Sequence, residues 1–346
     1  MRPPPQMMDL DLDRFAFRNL HPDVFLGTAS DRYVGWLGQI YTPERYADRI
    51  TKRTHKVGGK SYIEQVLPVD SVAEYYQHFP VLELDFTFYR PLLDTSGNPT
   101  QTFQVLQHYR HFLQSDDRII LKVPQVVFAQ KRFHSGKFVD NPDYLQTALF
   151  LRQFYEPAVE LFGPLLTAMV FEQEYQRQGQ RTDAPGFAQE LAQFFRAVPA
   201  DSRYHVELRT ESYLAEPVFE ILHQYGVGQV LSHWTWLPPL SGQFARSGGR
   251  FLNIGGQCMM RLLTPRRLRY EDAYARAYPF DRLVDGMQDP LMVEQTVQLM
   301  HAAIREKTQI NIIVNNRAGG NAPFIARQIA ERFLESQDSD RGAIQK

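Results

Sequence analysis

The sequence predicts a single-domain α/β protein, a (β/α)₈ TIM barrel, and three observations support this prediction. The chain has 346 residues, enough for a barrel of about 250 residues with insertions in its loops. Eight short, mostly apolar runs recur along it, as is typical of strands buried on both faces of a parallel sheet. Segments with apolar residues at helical spacing lie between these runs. A doubly wound open sheet is the alternative arrangement of the same elements.

The predicted strands and helices alternate along the chain. Strands are expected at residues 24–28, 81–85, 118–123, 165–171, 204–208, 229–232, 250–254 and 310–314. Helices are expected at residues 71–78, 101–113, 142–155, 186–196, 214–225, 290–304 and 323–334. Asn321 is expected to cap the last helix, because its side chain can accept a hydrogen bond from a helical N–H and Pro323 suits the first turn.

Several segments lie outside this alternation. Residues 1–20 are predicted to be a poorly ordered N-terminal segment, residues 21–335 the barrel, and residues 336–346 a frayed polar tail. Residues 51–65 form a basic, glycine-containing insertion in the first βα connection, and residues 257–287 form a second one, rich in Arg and Tyr. Because βα connections build the active-site face of a barrel, both insertions are candidate lids or partner surfaces. Simple surface elaboration is the alternative.

The composition excludes several classes of protein. Lys and Arg number 38 and Asp and Glu 39, giving a net charge of -1, so no general attraction to nucleic acid or to an anionic membrane is expected. The Arg-rich residues 261–276 keep a nucleic-acid contact open, although their acidic neighbours favour a solvated face. The single cysteine, Cys258, excludes an internal disulfide framework. Because the chain has neither a signal-like N-terminus nor a long apolar run, we expect a cytoplasmic protein that does not bind membranes.

Charged side chains within or just after the predicted strands are the candidate catalytic residues. Glu83 lies in the second strand, Lys122 near the end of the third, and Glu207 and Arg209 at the end of the fifth. In a barrel such positions face the active site, and a charge in an apolar strand needs a partner, a ligand or water. Glu83 and Glu207 are therefore predicted to act as acid and base, with Lys122 and Arg209 neutralising an anion. A buried ion-pair network is the alternative.

Five further residues are predicted to contact a ligand. Asn315 and Asn316 follow the eighth predicted strand, and Thr28 ends the first. Tyr89 lies just after the second strand, where an aromatic ring can stack on a sugar or base. His233 follows the sixth strand and is a candidate acid or base as well as a ligand contact.

Two glycine pairs suggest phosphate binding. Gly255 and Gly256 follow the seventh predicted strand, and Gly319 and Gly320 follow the eighth and lead into a helix. Barrels often bind phosphate with the loops after these two strands and a nearby helix N-terminus. Glycine also lets backbone N–H groups approach an anion closely. The alternative for both pairs is tight-turn geometry without a ligand.

Several motifs resemble those of a known family. The residues at 25–36 read FLGTASDRYVGW, those at 78–90 HFPVLELDFTFYR, those at 118–124 RIILKVP, those at 206–213 VELRTESY and those at 312–322 IIVNNRAGGNA. In this order and spacing they resemble the DUF72 family, also called YecE-like proteins, over most of residues 25–334. The resemblance implies a TIM barrel and a distant likeness to sugar isomerases, but no particular reaction.

The chain also departs from the pattern of that family. The resemblance implies Ser-Gly-Trp-Ser-Tyr where residues 29–33 read ASDRY, and a Gln-x-Pro-Pro where residues 168–171 read AMVF. It implies Asp at the end of the sixth strand, where His233 stands. It implies Arg-Leu-His-Gly after the seventh, where residues 253–256 read NIGG. Loss of that Arg and His suggests an altered substrate or a lost activity.

Together these features predict a small phosphorylated or carbohydrate-like ligand at the C-terminal face of the barrel, with isomerase- or lyase-type acid/base catalysis. No organic cofactor is expected. Two carboxylates near Asn and His side chains make a divalent metal possible, although the sequence has no HExxH spacing. The alternative function is a non-catalytic protein that binds a nucleic-acid fragment or a protein partner.

Overall fold

Eight parallel strands close into a barrel, which confirms the predicted fold and rules out the open sheet. The structure is a computed structural model that describes residues 10–134, 137–179 and 181–344. The strands are β1 (Val24–Ala29), β2 (Thr51–Val57), β3 (Lys60–Val66), β4 (Val81–Leu84), β5 (Arg118–Lys122), β6 (Lys131–His134), β7 (Lys137–Asp140), β8 (Leu166–Glu172), β9 (Tyr204–Glu207), β10 (Gly228–His233), β11 (Gln257–Leu262) and β12 (Gln309–Val314). Around the barrel they follow the order β1-β12-β11-β10-β9-β8-β5-β4.

Helices connect the barrel strands and pack around them. They are α1 (Pro43–Tyr46), α2 (Val72–His78), α3 (Gln101–Arg110), α4 (Gln125–Phe128), α5 (Thr147–Phe150), α6 (Glu156–Phe162), α7 (Ala184–Ala197), α8 (Glu216–Gln224), α9 (Leu240–Arg246), α10 (Tyr270–Ala277), α11 (Pro290–Arg305) and α12 (Ala322–Ile344). Each predicted helix has a counterpart here. Asn321 accepts a hydrogen bond from the N–H of Phe324 at 3.0 Å, as expected of a cap.

Two antiparallel hairpins lie at the C-terminal face of the barrel. The predicted insertion at residues 51–65 folds as the β2–β3 hairpin. A second hairpin, β6–β7, follows β5 and was not predicted. Tyr62 of the first hairpin contacts the rings of Tyr274 on α10 and Tyr278 after it, with ring centroids 4.9 and 5.3 Å apart. The two predicted insertions therefore pack against each other on one side of the face.

The predicted seventh strand was wrong. Residues 250–254 form an irregular segment, and the seventh barrel strand is β11, inside the region expected to be an insertion. The segment at 250–254 is apolar but glycines flank it on both sides, and Asn253 donates a side-chain hydrogen bond to the carbonyl of Ser202 at 2.8 Å. β11 contains Arg261, whose carboxylate partners Glu83 and Glu207 come from other strands of the barrel.

The barrel interior is filled by small and medium apolar side chains. This inner cluster consists of Ala29, Val81, Ile120, Ala168, Val170, Val230, Met259 and Ile313, with Phe25 packed against it. The strands approach one another closely here, since a Cβ added at Gly27 would lie 2.1 Å from the carbonyl oxygen of Val81. The larger outer core lies between the barrel and its helices.

Both predicted terminal segments differ from the structure where it describes them. Residues 1–9 of the predicted segment 1–20 lie outside the described residues. Residues 10–20 pack against the barrel, with Phe15, Phe17 and Leu20 buried and Arg18 paired to Asp117 at 2.9 Å. At the other end, α12 continues past residue 335 to Ile344 rather than fraying at residue 336. Among the described helices, none is both long and apolar enough to cross a membrane.

Candidate functional site

Strand alternation brings charged side chains together at the C-terminal end of the barrel interior. Side chains two residues apart on a strand lie on the same face. Val81, Ile120, Val170 and Met259 face the interior, so the residues two positions later do so as well. Those residues are Glu83, Lys122, Glu172 and Arg261.

Arg261 lies at the centre of this group and is only 3% exposed. Its guanidinium contacts Glu83 at 2.6 Å, Glu172 at 3.6 Å and Glu207 at hydrogen-bond distance. Glu83 and Glu207 are fully buried. A buried carboxylate is tolerated when a cation compensates it, and one arginine here serves three carboxylates.

Lys122 and Arg209 complete the charge balance. Lys122 pairs with Glu172, and Arg209 contacts Glu172 at 2.7 Å and Glu207 at 3.3 Å. The hydroxyl of Ser232 donates to Glu207 at 2.5 Å. Three carboxylates and three cations thus form one network without net charge. We call this set the axial cluster, and its members are Glu83, Lys122, Glu172, Glu207, Arg209 and Arg261.

The carboxylates of the axial cluster differ in proton affinity. Burial acts to raise the pKa of Glu207, but Arg209 and Arg261 outweigh it and lower the pKa to about 2. Burial also acts to raise the pKa of Glu172, but Arg209 and Lys122 outweigh it and lower the pKa. For Glu83, burial prevails over the attraction of Arg261 and raises the pKa. One oxygen of Glu83, Oε2, is buried and has no hydrogen-bond partner among the described residues.

The sequence correctly placed four members of the axial cluster and missed two. Glu83, Lys122, Glu207 and Arg209 were predicted to lie together, and the structure brings them together. Glu172 was missed because the fourth predicted strand ended one residue too early. Arg261 was missed because its strand was assigned to an insertion. Strand alternation from Val170 and Met259 is the signal that identifies both.

The other predicted ligand residues lie outside the axial cluster. Asn315 accepts a hydrogen bond from the N–H of Arg317 at 3.0 Å, and Asn316 accepts one from the N–H of Ala322 at 2.7 Å. Thr28 hydrogen-bonds the hydroxyl of Tyr75 at 3.0 Å. Strand alternation directs Thr28 and Asn316 away from the barrel interior, where these contacts fix loops and helices to the barrel. Asn315 follows the inward-facing Ile313 by two residues and so faces the interior.

His233 and Tyr89 lie at different depths. His233 is buried and contacts Asp289 at 3.3 Å, at the start of α11. Ser232 faces the barrel interior in its place, since it follows Val230 by two residues. Tyr89 is 67% exposed and lies at the mouth of the barrel, close enough to Glu172 and Tyr270 to interact electrostatically.

The glycine pairs do not form the predicted anion site. Gly255 and Gly256 precede β11, so they lie at the opposite end of the barrel from the axial cluster. Their N–H groups donate to the side chain and carbonyl of Asn253 at 2.8 and 3.2 Å. The N–H groups of Gly319 and Gly320 both donate to the carbonyl of Asn316. All four N–H groups are therefore used within turns. The first pair was expected to follow the seventh strand, but it precedes that strand because the strand was predicted at the wrong position.

Aromatic side chains line the mouth above the axial cluster. Arg209 lies 5.2 Å from the ring centroid of Trp234, and Lys122 lies 4.0 Å from that of Phe88. Tyr175 contacts both Trp234 and Trp236, and Trp236 is 45% exposed. A set of partly exposed rings above buried charges offers flat apolar surfaces to a ligand.

A cavity of about 800 Å³ opens beside the axial cluster at the same end of the barrel. We call it the side cavity. Its walls are the loop after β1, the β2–β3 hairpin, the turn after β4, the start of α3 and residues 278–281. Asp85 lines it and is among the groups that raise the pKa of Glu83. None of the six residues of the axial cluster lines this cavity within the described chain.

Metal binding has no preformed site in the part of the chain that the structure describes. No group of three or more His, Cys, Asp or Glu side chains there is arranged to hold an ion. The three carboxylates of the axial cluster already contact Lys and Arg side chains.

A family model described as "Protein of unknown function DUF72" matches residues 52–344. This match covers more than half of the chain. The chain belongs to the DUF72 family. No curated protein gives a significant match.

Solved structures of DUF72 proteins share the fold. A DUF72 family protein from Thermotoga maritima MSB8 is 15% identical, with a TM-score of 0.53 over 90% of this chain and 99% of that chain. One from Enterococcus faecalis V583 is 13% identical, with a TM-score of 0.51 over 91% of this chain and 98% of that chain. At such identities the likeness concerns the fold alone.

The position of β11 changes how this DUF72 chain compares with the expected family pattern. Residues 261–264, at and just after the end of β11, read RLLT. Their first two residues resemble the start of the Arg-Leu-His-Gly that the resemblance led us to expect at the seventh strand, and Leu263 and Thr264 differ from it.

Proposed function

We propose that the protein is an enzyme that binds a small carbohydrate-like ligand at the C-terminal face of the barrel and transfers a proton with Glu83. The observation that supports this most is the difference between the carboxylates of the axial cluster. Glu207 has a pKa lowered to about 2 and stays ionised, whereas the pKa of Glu83 is raised by burial. A carboxyl group whose pKa is raised by burial, beside another that stays ionised, is typical of enzyme sites that transfer a proton.

The roles within the axial cluster follow from its contacts. Glu83 uses one oxygen to hold Arg261, and the other, Oε2, has no partner among the described residues and is available for proton transfer. Arg209 and Lys122 can stabilise negative charge that develops on a ligand during an isomerisation or a lyase-type cleavage. Glu207 holds Arg261 and Arg209 in position, so we assign it a positioning role rather than the role of second acid or base.

The aromatic mouth favours a carbohydrate-like ligand over a phosphorylated one. Partly exposed rings such as Trp236 and Tyr89 can stack on the apolar face of a sugar. The glycine N–H groups that would bind a phosphate are already used within turns. The ligand class proposed here therefore rests on the rings and not on an anion site.

The test compares Glu83→Gln with the matched surface variant Glu220→Gln. Aldose–ketose isomerisation of xylose, glucose and glucose 6-phosphate, and cleavage of nitrophenyl glycosides, are followed by NMR or absorbance. We expect Glu83→Gln to lower turnover about 10²- to 10⁴-fold in protein that circular dichroism shows to be folded, and Glu220→Gln to be active. Full turnover by Glu83→Gln contradicts the assignment. Absence of turnover on all substrates by the wild-type chain favours a binding protein instead.

A further inference from the structure

The side cavity is large enough to bind a ligand by itself. Its volume of about 800 Å³ lies within the usual range of small-molecule sites. It is built from five separate segments of chain at the C-terminal face. A disaccharide therefore fits the space without displacing the axial cluster.

Two carboxyl groups in its wall are incompletely satisfied. Asp31 is 1% exposed, and its Oδ1 accepts a hydrogen bond from the hydroxyl of Tyr109 at 2.8 Å. Its Oδ2 is buried and has no partner among the described residues. Asp85 accepts one hydrogen bond, from the hydroxyl of Ser30 at 2.7 Å. Oδ2 of Asp31 is a buried acceptor without a partner among the described residues, which is rare in folded proteins. Asp85 is half-buried, and a ligand hydroxyl can donate to both carboxyl groups.

The charges of the cavity wall do not favour an anion. Four acidic residues and three arginines line it. Arg53 is paired with Glu64 at 2.7 Å, and the Nε of Arg32 donates to the carbonyl of Leu67 at 2.5 Å. Two of the three arginines are thus committed to protein groups, while Asp31 and Asp85 retain accepting capacity.

Neutral polar and aromatic groups make up much of the remaining wall. Gln65, Gln101 and Thr102 can each both donate and accept hydrogen bonds, as ligand hydroxyl groups do. Tyr33 and Tyr278 contribute aromatic surface. This mixture suits a ring that carries hydroxyl groups on its edges and C–H groups on its faces.

We propose that the side cavity binds the ring of a neutral, hydroxyl-rich sugar, with Asp31 and Asp85 accepting hydrogen bonds from its hydroxyl groups. This inference rests on the proposed function, because it places the body of the substrate beside the axial cluster. It also names the substrate class as uncharged. Asp85 lies two residues after Glu83, so the side cavity and the axial cluster meet at the C-terminal end of β4.

Calorimetric titration of the full chain tests this inference with three probes. Cellobiose is the neutral sugar, glucose 6-phosphate the anionic one, and benzamidine a planar cation. We expect cellobiose to bind more tightly than either charged probe. Asp85→Asn should weaken cellobiose binding about tenfold, as expected for a lost hydrogen bond to a charged group. Tyr89→Ala, at an exposed cavity residue, should weaken it as well, whereas the surface variant Asp48→Asn should not.

The outcomes separate this inference from the proposed role of Glu83. Glu83→Gln should bind cellobiose like the wild type, since Glu83 does not line the cavity. If cellobiose binds the wild type, Asp85→Asn and Tyr89→Ala equally well, the inference is overturned while the role of Glu83 stands. Preference for glucose 6-phosphate or benzamidine, or no binding of cellobiose, overturns it as well. Lost turnover in Asp85→Asn without lost binding counts against the cavity but not against Glu83.

Discussion

The axial cluster and the side cavity bury carboxyl groups at the same end of the barrel with opposite results. Glu207 in the cluster is fully buried and touches two arginines, which lower its pKa to about 2 despite its burial. Asp31 in the cavity wall is 1% exposed, and burial raises its pKa to about 6 although the hydrogen bond from the hydroxyl of Tyr109 lowers it. Between these two equally buried carboxyl groups, contact with two arginines accounts for the opposite pKa shifts. Glu83 shows that contact with one arginine is not enough, since burial still raises its pKa.

The comparison also separates two kinds of stability. The axial cluster is stable as a complete set, because each charge is compensated by another member. The wall of the side cavity contains Asp31, whose carboxyl group is costly to ionise. Only one of its two side-chain oxygens has a hydrogen-bond partner among the described residues. Such incompletely satisfied groups are found at ligand sites more often than in packed cores.

Removing the central cation should give the largest effect. Arg261→Met removes the ion pair of the buried Glu83 and one of the cations that contact Glu207 and Glu172, so we expect the free energy of unfolding to fall by about 3–5 kcal/mol. Urea denaturation at neutral pH measures it. The matched control is Arg118→Met at the opposite end of the barrel, where the guanidinium stacks on Phe25 at 3.5 Å.

Arg118 makes no ion pair within the described residues, and its guanidinium donates a hydrogen bond to the side chain of Gln309 at 3.2 Å. The control should therefore cost less than about 1 kcal/mol. Equal losses for the two variants would show that Arg261 does not compensate buried charge.

Neutralising Asp31 should give an intermediate effect that depends on pH. Its folded pKa of about 6 lies above the ordinary value of 3.8, so the folded state holds the proton more tightly than the unfolded state. Stability therefore falls as the pH rises from about 4 to about 6, and the full penalty remains at neutral pH. Asp31→Asn carries no such penalty.

The free energy of unfolding of Asp31→Asn, relative to that of the wild type, should increase by about 2–3 kcal/mol between acidic and neutral pH. Urea denaturation of both chains near pH 4 and pH 7 gives this difference. Arg32, Asp85 and Tyr109 are the neighbours that influence Asp31, and all three are retained in the variant. A difference that does not change with pH would show that Asp31 is not protonated in the folded chain near pH 5.

Removing the hydroxyl partner of Asp31 should give the smallest effect. Tyr109→Phe deletes a hydrogen bond of 2.8 Å and should cost about 1 kcal/mol at neutral pH. Because that hydrogen bond lowers the pKa of Asp31, its loss should raise the pKa further. NMR titration of the labelled Asp31 carboxyl carbon measures this, and a lowered pKa would contradict the account of the cavity.

Local patterns in the sequence were enough to predict the barrel and part of the axial cluster. Seven of the eight strands were placed from short apolar runs, because a strand buried on both faces needs apolar residues at nearly every position. β11 was not recognised as a strand, because Gln257 and Arg261 interrupt its apolar pattern. Their tolerance depends on residues that are distant in sequence, which no local pattern reveals.

The sequence by itself determined the alternation of strands and helices and the concentration of Glu83, Lys122, Glu207 and Arg209 at strand ends, because periodicity and strand polarity are local properties. Only the tertiary structure decided that Arg261 and Glu172 complete the cluster. It also decided that the predicted glycine loops are turns and that a cavity opens between the β2–β3 hairpin and residues 278–281. Charge compensation and cavity shape depend on contacts between distant segments, and these exist only once the barrel has closed.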